Sequence, residues 1–249
     1  MNRYGLLGRK LGHSKSKIIH ECIYNKSNIN AVYDLIEIEE NEIEKQINLL
    51  RDGTYKGYNV TIPYKEIVIP YLDELTLPAQ EIGAVNTIYI KDGLLIGDNT
   101  DYIGFIDELD FFGVDVMNKD VYVLGSGGAS KAICYAIKKR NGNPIVVSRN
   151  KNNGITYDEL SKIERFDLIV NTTPVGMYPN IDAEILSKNI IDKADCCIDL
   201  ICNPKQTKFL EYSKKGYNGI CMLIFQAIHA ENRWNSEISF NYKEIYELL

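Results

Sequence analysis

Four short apolar runs after residue 120, DVYVLG, PIVVSRN, FDLIVNTTP and DCCIDLICNP, lack the polar–apolar alternation of a half-exposed strand. Strands read this way when both faces are covered, which implies a parallel sheet with crossover helices. The stretch between the first two runs, ASKAICYAIKKRNG, has the helical period: Ala129, Ala132, Ile133, Ala136 and Ile137 fall at i, i+3, i+4, i+7 and i+8. The first half alternates in the same way. YGLLG and AVYDLIEI read as strands around a helix in which Ile19, Cys22 and Ile23 share a face. A second helix carries Ile43, Ile47 and Leu50, with Gly53 beyond its end. VNTIYIKDGLLIGD reads as a hairpin turning at Asp92-Gly93. GICMLIFQAIHAENRW reads as a long terminal helix. The chain thus reads as α/β, with a boundary between its halves near residues 100–105 and a ligand cleft expected where they join.

Charge and cysteine usage narrow the function classes. A net charge of −6 argues against non-specific nucleic-acid binding. No membrane span and no signal-peptide core are legible. The six cysteines form no C-x-x-C pair and suit a reduced, cytoplasmic protein. His13, His20 and His229 are too scattered to suggest a metal site, and none is expected; His13 reads as a structural residue or one supporting the site.

VLGSGGASKA follows the first of the four runs and opens the helix. It is not a P-loop, because no G-x-x-x-x-G-K-[ST] can be written through it. Gly125, Gly127 and Gly128, with Ser126 and Ala129, make a variant of the dinucleotide turn. Glycine admits a pyrophosphate close to the backbone, and the helix N-terminus offers free N–H groups. An ordinary tight βα turn fits the same residues. The next strand ends at Val147, where an NAD site would often place Asp or Glu. Here stand Ser148, Arg149, Asn150 and Lys151. A guanidinium binds a ribose 2′-phosphate bidentately, so this set favours NADP over NAD.

The stretch GYNVTIPYKE, residues 57–66, reads as a strand stopped by Pro63 that carries Asn59, Thr61 and then Lys65. Alone, Lys65 reads as a solvated lysine and Asp101 as a cap or Asx-turn residue after Asn99 and Thr100. Taken with GHSKSKIIH (12–20), GAVNT (83–87), GDNTDYIGF (97–105), NTTPVGM (171–177), DLICNP (199–204) and GICMLIFQA (219–227), the chain resembles the shikimate dehydrogenase family, with the motifs in family order across nearly its whole length.

The resemblance implies a shikimate-binding catalytic domain at 1–102 plus 227–249 and a Rossmann-like NADP-binding domain at 103–226. The terminal helix would return to the first domain. It implies reversible, NADP-dependent reduction of 3-dehydroshikimate to shikimate. Lys65 would be the acid/base and Asp101 would orient it; an electrostatic role for Lys65 at a developing alkoxide stays open. Ser14, Ser16, Thr61, Asn86 and Gln226 match substrate contacts, although Ser16 also fits a plain N-cap, Asn86 a turn former and Gln226 a solvated helix residue. Gly125 to Ala129 and Ser148 to Lys151 match cofactor contacts. Thr172, Thr173, Leu200, Gly219 and Met222 match positions near the cofactor, although on pattern alone Met222 reads as core.

The chain departs from the family pattern where Lys10 and Lys17 replace prolines and where Cys202 replaces a tyrosine expected to touch substrate. No acidic residue follows Val147, as a quinate- or NAD-using relative would have. Lys65 and Asp101 both remain, unlike in a ligand-sensing regulator. Folate-type methylene dehydrogenases share the two-domain plan but do not account for HSKS, DNTD and Gln226 together. The expected partner is a small-molecule substrate, with no nucleic acid or membrane, in a monomer or homodimer.

Overall fold

The computed structural model describes residues 1–12, 14–235 and 242–247. His13 lies outside them, as do residues 236–241 and 248–249 of the expected returning segment. The chain forms two compact units, Met1–Gly104 with Leu223–Leu249, and Phe105–Met222.

The first unit begins with β1 (Asn2–Gly8), α1 (Ser16–Lys26), β2 (Ala31–Glu37) and α2 (Ile43–Arg51). β3 (Gly57–Val60), β4 (Glu74–Leu75), α3 (Leu77–Ile82), β5 (Thr87–Lys91) and β6 (Leu94–Asp98) follow. The faces read from periodicity are the buried ones: Ile19, Cys22 and Ile23 on α1, and Ile43, Ile47 and Leu50 on α2. Asp92 and Gly93 both have positive φ, 54° and 81°, the backbone a two-residue hairpin between β5 and β6 demands. The six strands form one sheet in the order β2-β1-β3-β5-β6-β4. β1, β2 and β3 run parallel, whereas β5 is antiparallel to both β3 and β6.

That reversal decides where the polar residues gather. The ends of β3 and β6 and the start of β5 meet at one edge, so Val60 N–H donates to the Asn86 carbonyl at 2.8 Å and Asn86 N–H to the Asp98 carbonyl at 3.0 Å. Leu7, Tyr58, Val60, Tyr64, Val68, Val85, Ile88 and Leu95 pack the core on the side of α2. β3 is shorter than the alternation in GYNVTIP suggests. It stops at Val60, the chain turns through a Tyr64 N–H to Thr61 C=O bond, and Ile62 is 67% exposed. Pro63 has no N–H to continue the ladder.

α4 (Asp101–Phe112) leads into the second unit. There follow β7 (Asp120–Leu124), α5 (Gly128–Lys139), β8 (Asn143–Val147), α6 (Tyr157–Ser161) and β9 (Leu168–Asn171). Then come α7 (Lys188–Ile191), β10 (Cys197–Asp199), α8 (Lys208–Glu211), β11 (Gly216–Asn218) and α9 (Ile220–Trp234); α10 (Tyr242–Tyr246) ends the described chain. The sheet is entirely parallel, in the order β11-β10-β9-β7-β8. β9 and β10 are buried at every residue, as their uninterrupted apolar runs require. The order reverses at β7, and the carboxyl end of such a strand is the switch point where doubly wound sheets bind ligands. Gly125 stands there.

Glu108 on α4 is fully buried, and its Oε1 accepts the Met222 N–H at 3.3 Å in the first turn of α9. Burial pushes its carboxyl up to about 8. The folded protein therefore holds this proton more tightly than the unfolded chain does, and stability falls as pH rises from about 4.5 through about 8. Glu108→Gln keeps an acceptor for Met222 and cannot ionise. Thermal unfolding of this variant should match the wild type near pH 5 and exceed it at pH 9 by at least about 2–4 °C, the shift that one kcal/mol gives a chain of this size. Equal midpoints at pH 9 would exclude Glu108 as a source of alkaline destabilisation.

Candidate active site

The centre of the first unit's polar edge is Lys65. Its carbonyl accepts Val85 N–H at 2.7 Å, and the preceding residue is anchored by the Tyr64 hydroxyl, which donates to the buried Ile38 carbonyl at 2.5 Å. The Lys65 ammonium donates to Asp101 Oδ2 at 2.5 Å. The two side chains are only 15% and 9% exposed, so the pair is largely desolvated yet Lys65 keeps an accessible face. Asp101 opens α4, but the Asx-turn role belongs to Asn99, whose Oδ1 accepts the Asp101 N–H at 3.1 Å. The Asp101 carboxylate is left for Lys65 and Asn86.

Asn86 is 2% exposed and binds in several directions. Its amide N–H groups point to Asp101 Oδ1 at 2.9 Å, Thr100 Oγ1 at 3.0 Å and Gln226 Oε1 at 3.4 Å. Its Oδ1 accepts the Thr100 N–H at 2.6 Å and the Thr87 hydroxyl at 3.1 Å. An amide has two N–H groups, so the longest of its three contacts, to Gln226, is the weakest. Gln226 is buried, not solvated, and its Nε2 donates back to the Leu223 carbonyl at 2.8 Å. Asn59 extends the cluster downward. Its Nδ2 donates to the Asn86 carbonyl at 3.2 Å and Thr87 Oγ1 at 3.1 Å, and its Oδ1 accepts the Tyr33 hydroxyl at 2.7 Å.

Ser14 and Ser16 form a second, smaller cluster. The Ser14 hydroxyl donates to Ser16 Oγ at 3.1 Å, and the Ser16 N–H donates to Ser14 Oγ at 3.2 Å. Ser16 is not an N-cap: it is the first residue of α1, Lys15 precedes it in αR geometry without a side-chain cap, and the N–H of Ser16 is taken by Ser14 Oγ. The loop bearing the serines is fixed by Leu11 N–H to Glu37 Oε1 at 2.6 Å. It leaves β1 beside Thr61, where a Cβ on Gly8 would meet the Thr61 methyl at 2.7 Å and Leu11 at 2.6 Å. Lys10 is exposed, and Lys17 pairs with Glu21 at 3.7 Å.

Sequence reasoning missed a buried pair between α1 and α9. His20 Nδ1 and Glu231 Oε1 lie 2.5 Å apart with both side chains fully buried, and the His20 ring stacks on Tyr33 at 4.0 Å. Asn235 Nδ2 completes Glu231 at 2.7 Å. The partners are 211 positions apart, so no local pattern marks them. Among the described residues no cluster of His, Cys, Asp or Glu suits a metal, no helix is long and apolar enough to cross a membrane, and none of the six cysteines forms a disulfide.

In the second unit, Gly125 follows β7 with φ +109°, and a Cβ there would meet Thr172 Oγ1 at 2.9 Å and the Thr173 methyl at 3.0 Å. Glycine is required on both counts. Ser126 and Gly127 are exposed, Gly127 caps α5 through its backbone alone, and Gly128 and Ala129 begin the helix. A Cβ on Gly127 would meet nothing within 4 Å. Beyond β8, Ser148 Oγ accepts the Asn150 N–H at 3.2 Å and Asn150 Oδ1 accepts the Asn152 N–H at 3.0 Å, so both side chains shape the loop. Lys151 pairs with Glu159 at 3.1 Å, while Arg149 is exposed near Tyr157.

Thr172 donates to the Leu124 carbonyl at 2.6 Å, and Thr173 to Asn171 Oδ1 at 2.8 Å. Asn171 in turn holds Asp199 at 3.0 Å, and Thr207 donates to the same carboxylate at 2.5 Å. Burial raises the Asp199 carboxyl to about 6 against these bonds. Met222 is buried, and the Cys202 thiol donates to the Leu200 carbonyl at 3.7 Å.

The architecture is that of a two-unit α/β protein whose second unit is a doubly wound parallel sheet with a glycine-rich turn at its switch point. A family model for the shikimate dehydrogenase substrate binding domain matches residues 6–88. A curated relative from Caldanaerobacter subterraneus, named shikimate dehydrogenase (NADP(+)), is 37% identical over 98% of this chain and 95% of its own. The crystal structure of shikimate dehydrogenase 1 from Peptoclostridium difficile is 40% identical with a TM-score of 0.92, covering 100% of this chain and 97% of that one. That of the Thermus thermophilus enzyme in complex with NADP(H) and shikimate is 27% identical, with a TM-score of 0.91 over 99% and 98% of the two chains. The chain belongs to the shikimate dehydrogenase family.

Gly219 has a structural demand of its own. A Cβ there would lie 2.6–2.7 Å from backbone atoms of Leu200, which cannot rotate away. Gly219→Ala should destabilise the fold by about 1–3 kcal/mol in denaturant unfolding. An unchanged midpoint would mean the two segments can part without loss.

Proposed function

We propose that this protein is an NADP-dependent shikimate dehydrogenase that reversibly reduces 3-dehydroshikimate to shikimate. The observation that carries the reading is the Lys65–Asp101 contact of 2.5 Å, set in the buried cluster of Asn86 and Gln226, in a chain that matches dehydrogenases of this name end to end. NADP fits the residues present. Gly125 leaves a cradle that a Cβ would fill, α5 opens with uncapped amides, and Arg149 presents an exposed guanidinium beyond β8 where a 2′-phosphate would need it. Reduced nicotinamide supplies the hydride when bound.

The chain's own residues handle the proton and the orientation. Lys65 gives a proton to the carbonyl oxygen during reduction and takes it from the hydroxyl during oxidation. Asp101 fixes the ammonium by one oxygen and is itself fixed by Asn86 through the other. Asn86, Gln226 and Thr61 contact the ring hydroxyls, and the Ser14 and Ser16 hydroxyls hold the substrate carboxylate. Ser148, Asn150 and Lys151 shape the loop behind Arg149. Thr172, Thr173, Leu200, Gly219 and Met222 would lie near the cofactor, Met222 by its nicotinamide. The enzyme acts in the cytoplasm, as a monomer or homodimer, without nucleic-acid or membrane partners.

The test is an absorbance assay of nicotinamide reduction with shikimate or quinate, each with NADP or NAD. Rapid turnover confined to shikimate with NADP is expected; preference for quinate or for NAD would reassign the substrate or cofactor. Lys65→Ala should lower kcat about 10²–10⁴-fold, the range of general acid–base catalysis, with NADP affinity unchanged. A variant with near-normal kcat would remove Lys65 from the chemistry. Arg149→Ala should raise the NADP dissociation constant far more than that for NAD, and equal losses would discard the 2′-phosphate role.

A further inference from the structure

The turn that presents Asp101 hangs from one buried carboxylate that the sequence motifs leave without a role. Asp98 is 1% exposed. Its Oδ1 accepts the Thr76 hydroxyl at 2.6 Å and the Asn99 N–H at 2.8 Å. Its Oδ2 accepts Arg233 Nε at 2.7 Å. Asn99 passes the restraint on: its Nδ2 donates to the Ala84 carbonyl at 2.9 Å and its Oδ1 receives the Asp101 N–H. The Asp98 carbonyl meanwhile accepts the Asn86 N–H. Both partners of Lys65's cluster, Asp101 and Asn86, are thus positioned from Asp98.

A carboxylate this buried is stabilised by full hydrogen bonding and a compensating charge. Arg233 supplies that charge from α9, seven residues after Gln226. Seven residues are two helical turns, so the two side chains leave the same face of the helix. The next residue fastens that end of α9 to the sheet: the Trp234 indole N–H donates to the Ile88 carbonyl at 3.0 Å, and Gly57 leaves the space its ring fills.

We propose that Arg233 is a positioning residue for the reaction, acting through Asp98 to set the 98–101 turn and, on the same helix face, the placement of Gln226. The inference rests on the reading of Lys65 and Asp101 as the proton-transfer pair. Without the guanidinium, the buried Asp98 carboxylate loses its charge partner and turns toward water. That movement weakens its hold on Asn99 and lets Asp101 drift from Lys65. Misplacement of about 1 Å is enough for losses approaching 10²-fold.

The experiment compares wild type, Arg233→Ala, Arg233→Lys, Asp98→Asn and the Asp98→Asn/Arg233→Ala double variant in shikimate oxidation with NADP. NADP dissociation constants and thermal midpoints are measured alongside. Arg233→Ala should lower kcat about 10–100-fold with the NADP dissociation constant unchanged. Arg233→Lys, which keeps the charge, should recover most of that loss. In the Asp98→Asn background, Arg233→Ala should cost little more, because the charge it compensates is gone. A folded Arg233→Ala with wild-type kcat and KM, or a lowered thermal midpoint alone, would overturn the proposal. Should Arg233→Ala not fold, additive losses in an Arg233→Lys/Asp98→Asn cycle would do the same. An inactive wild type would overturn the functional reading itself, and is told apart by needing no variant.

Discussion

The first unit is organised around the side-chain amide of Asn86. It is buried, and an unpaired amide there would be costly, so its neighbours are constrained to meet it. Thr100 offers a backbone donor and a hydroxyl, Thr87 a hydroxyl, Asp101 a carboxylate oxygen, and Gln226 a carbonyl. These come from β5, from the turn that leads from β6 into the start of α4, and from α9. One satisfied amide therefore registers these segments against each other. The Lys65–Asp101 pair inherits its geometry from that registration, since Asp101 can meet Lys65 with one oxygen only while Asn86 holds the other.

A buried polar network of this kind is worth more as specification than as stability. Each member is expensive to bury and safe only while its partners are in place. The arrangement suits a reaction in which an ammonium must face one oxygen of a ring that carries several. The apolar packing beneath it, from Tyr58, Val60, Val85 and Ile88, fixes the backbone from which the polar groups project. The second unit follows the same plan with different groups. Asn171, Asp199 and Thr207 tie the ends of β9 and β10 to the following segment, next to the turn that needs glycine at 125.

Much of the fold was legible because it rests on periodicity and turn chemistry. The buried faces of α1 and α2, the Asp92-Gly93 hairpin, the end of β8 at Val147 and the covered strands of the parallel sheet all follow from local pattern. The short elements did not: β4, with two residues, and α7 and α8, with four each, are too brief for a period to show. β3 ended early because Pro63 removes a donor and the chain turns at Thr61, which the apolar character of Ile62 concealed.

The sequence by itself determined the α/β class, the glycine-rich turn, the basic set after Val147 and, through its motifs, the residues Lys65, Asp101, Asn86 and Gln226. Those are properties of local backbone preference, side-chain chemistry and motif order. Only the tertiary structure decided which of them touch. β5 runs antiparallel, so the start of one strand meets the ends of two others. α9 brings Gln226 to a residue 140 positions away, Arg233 to one 135 away and Glu231 to one 211 away. A carboxylate such as Asp98 or Glu231 reads in sequence as an ordinary surface charge. It becomes structural once folding has stripped its water and left neighbouring protein groups to compensate it.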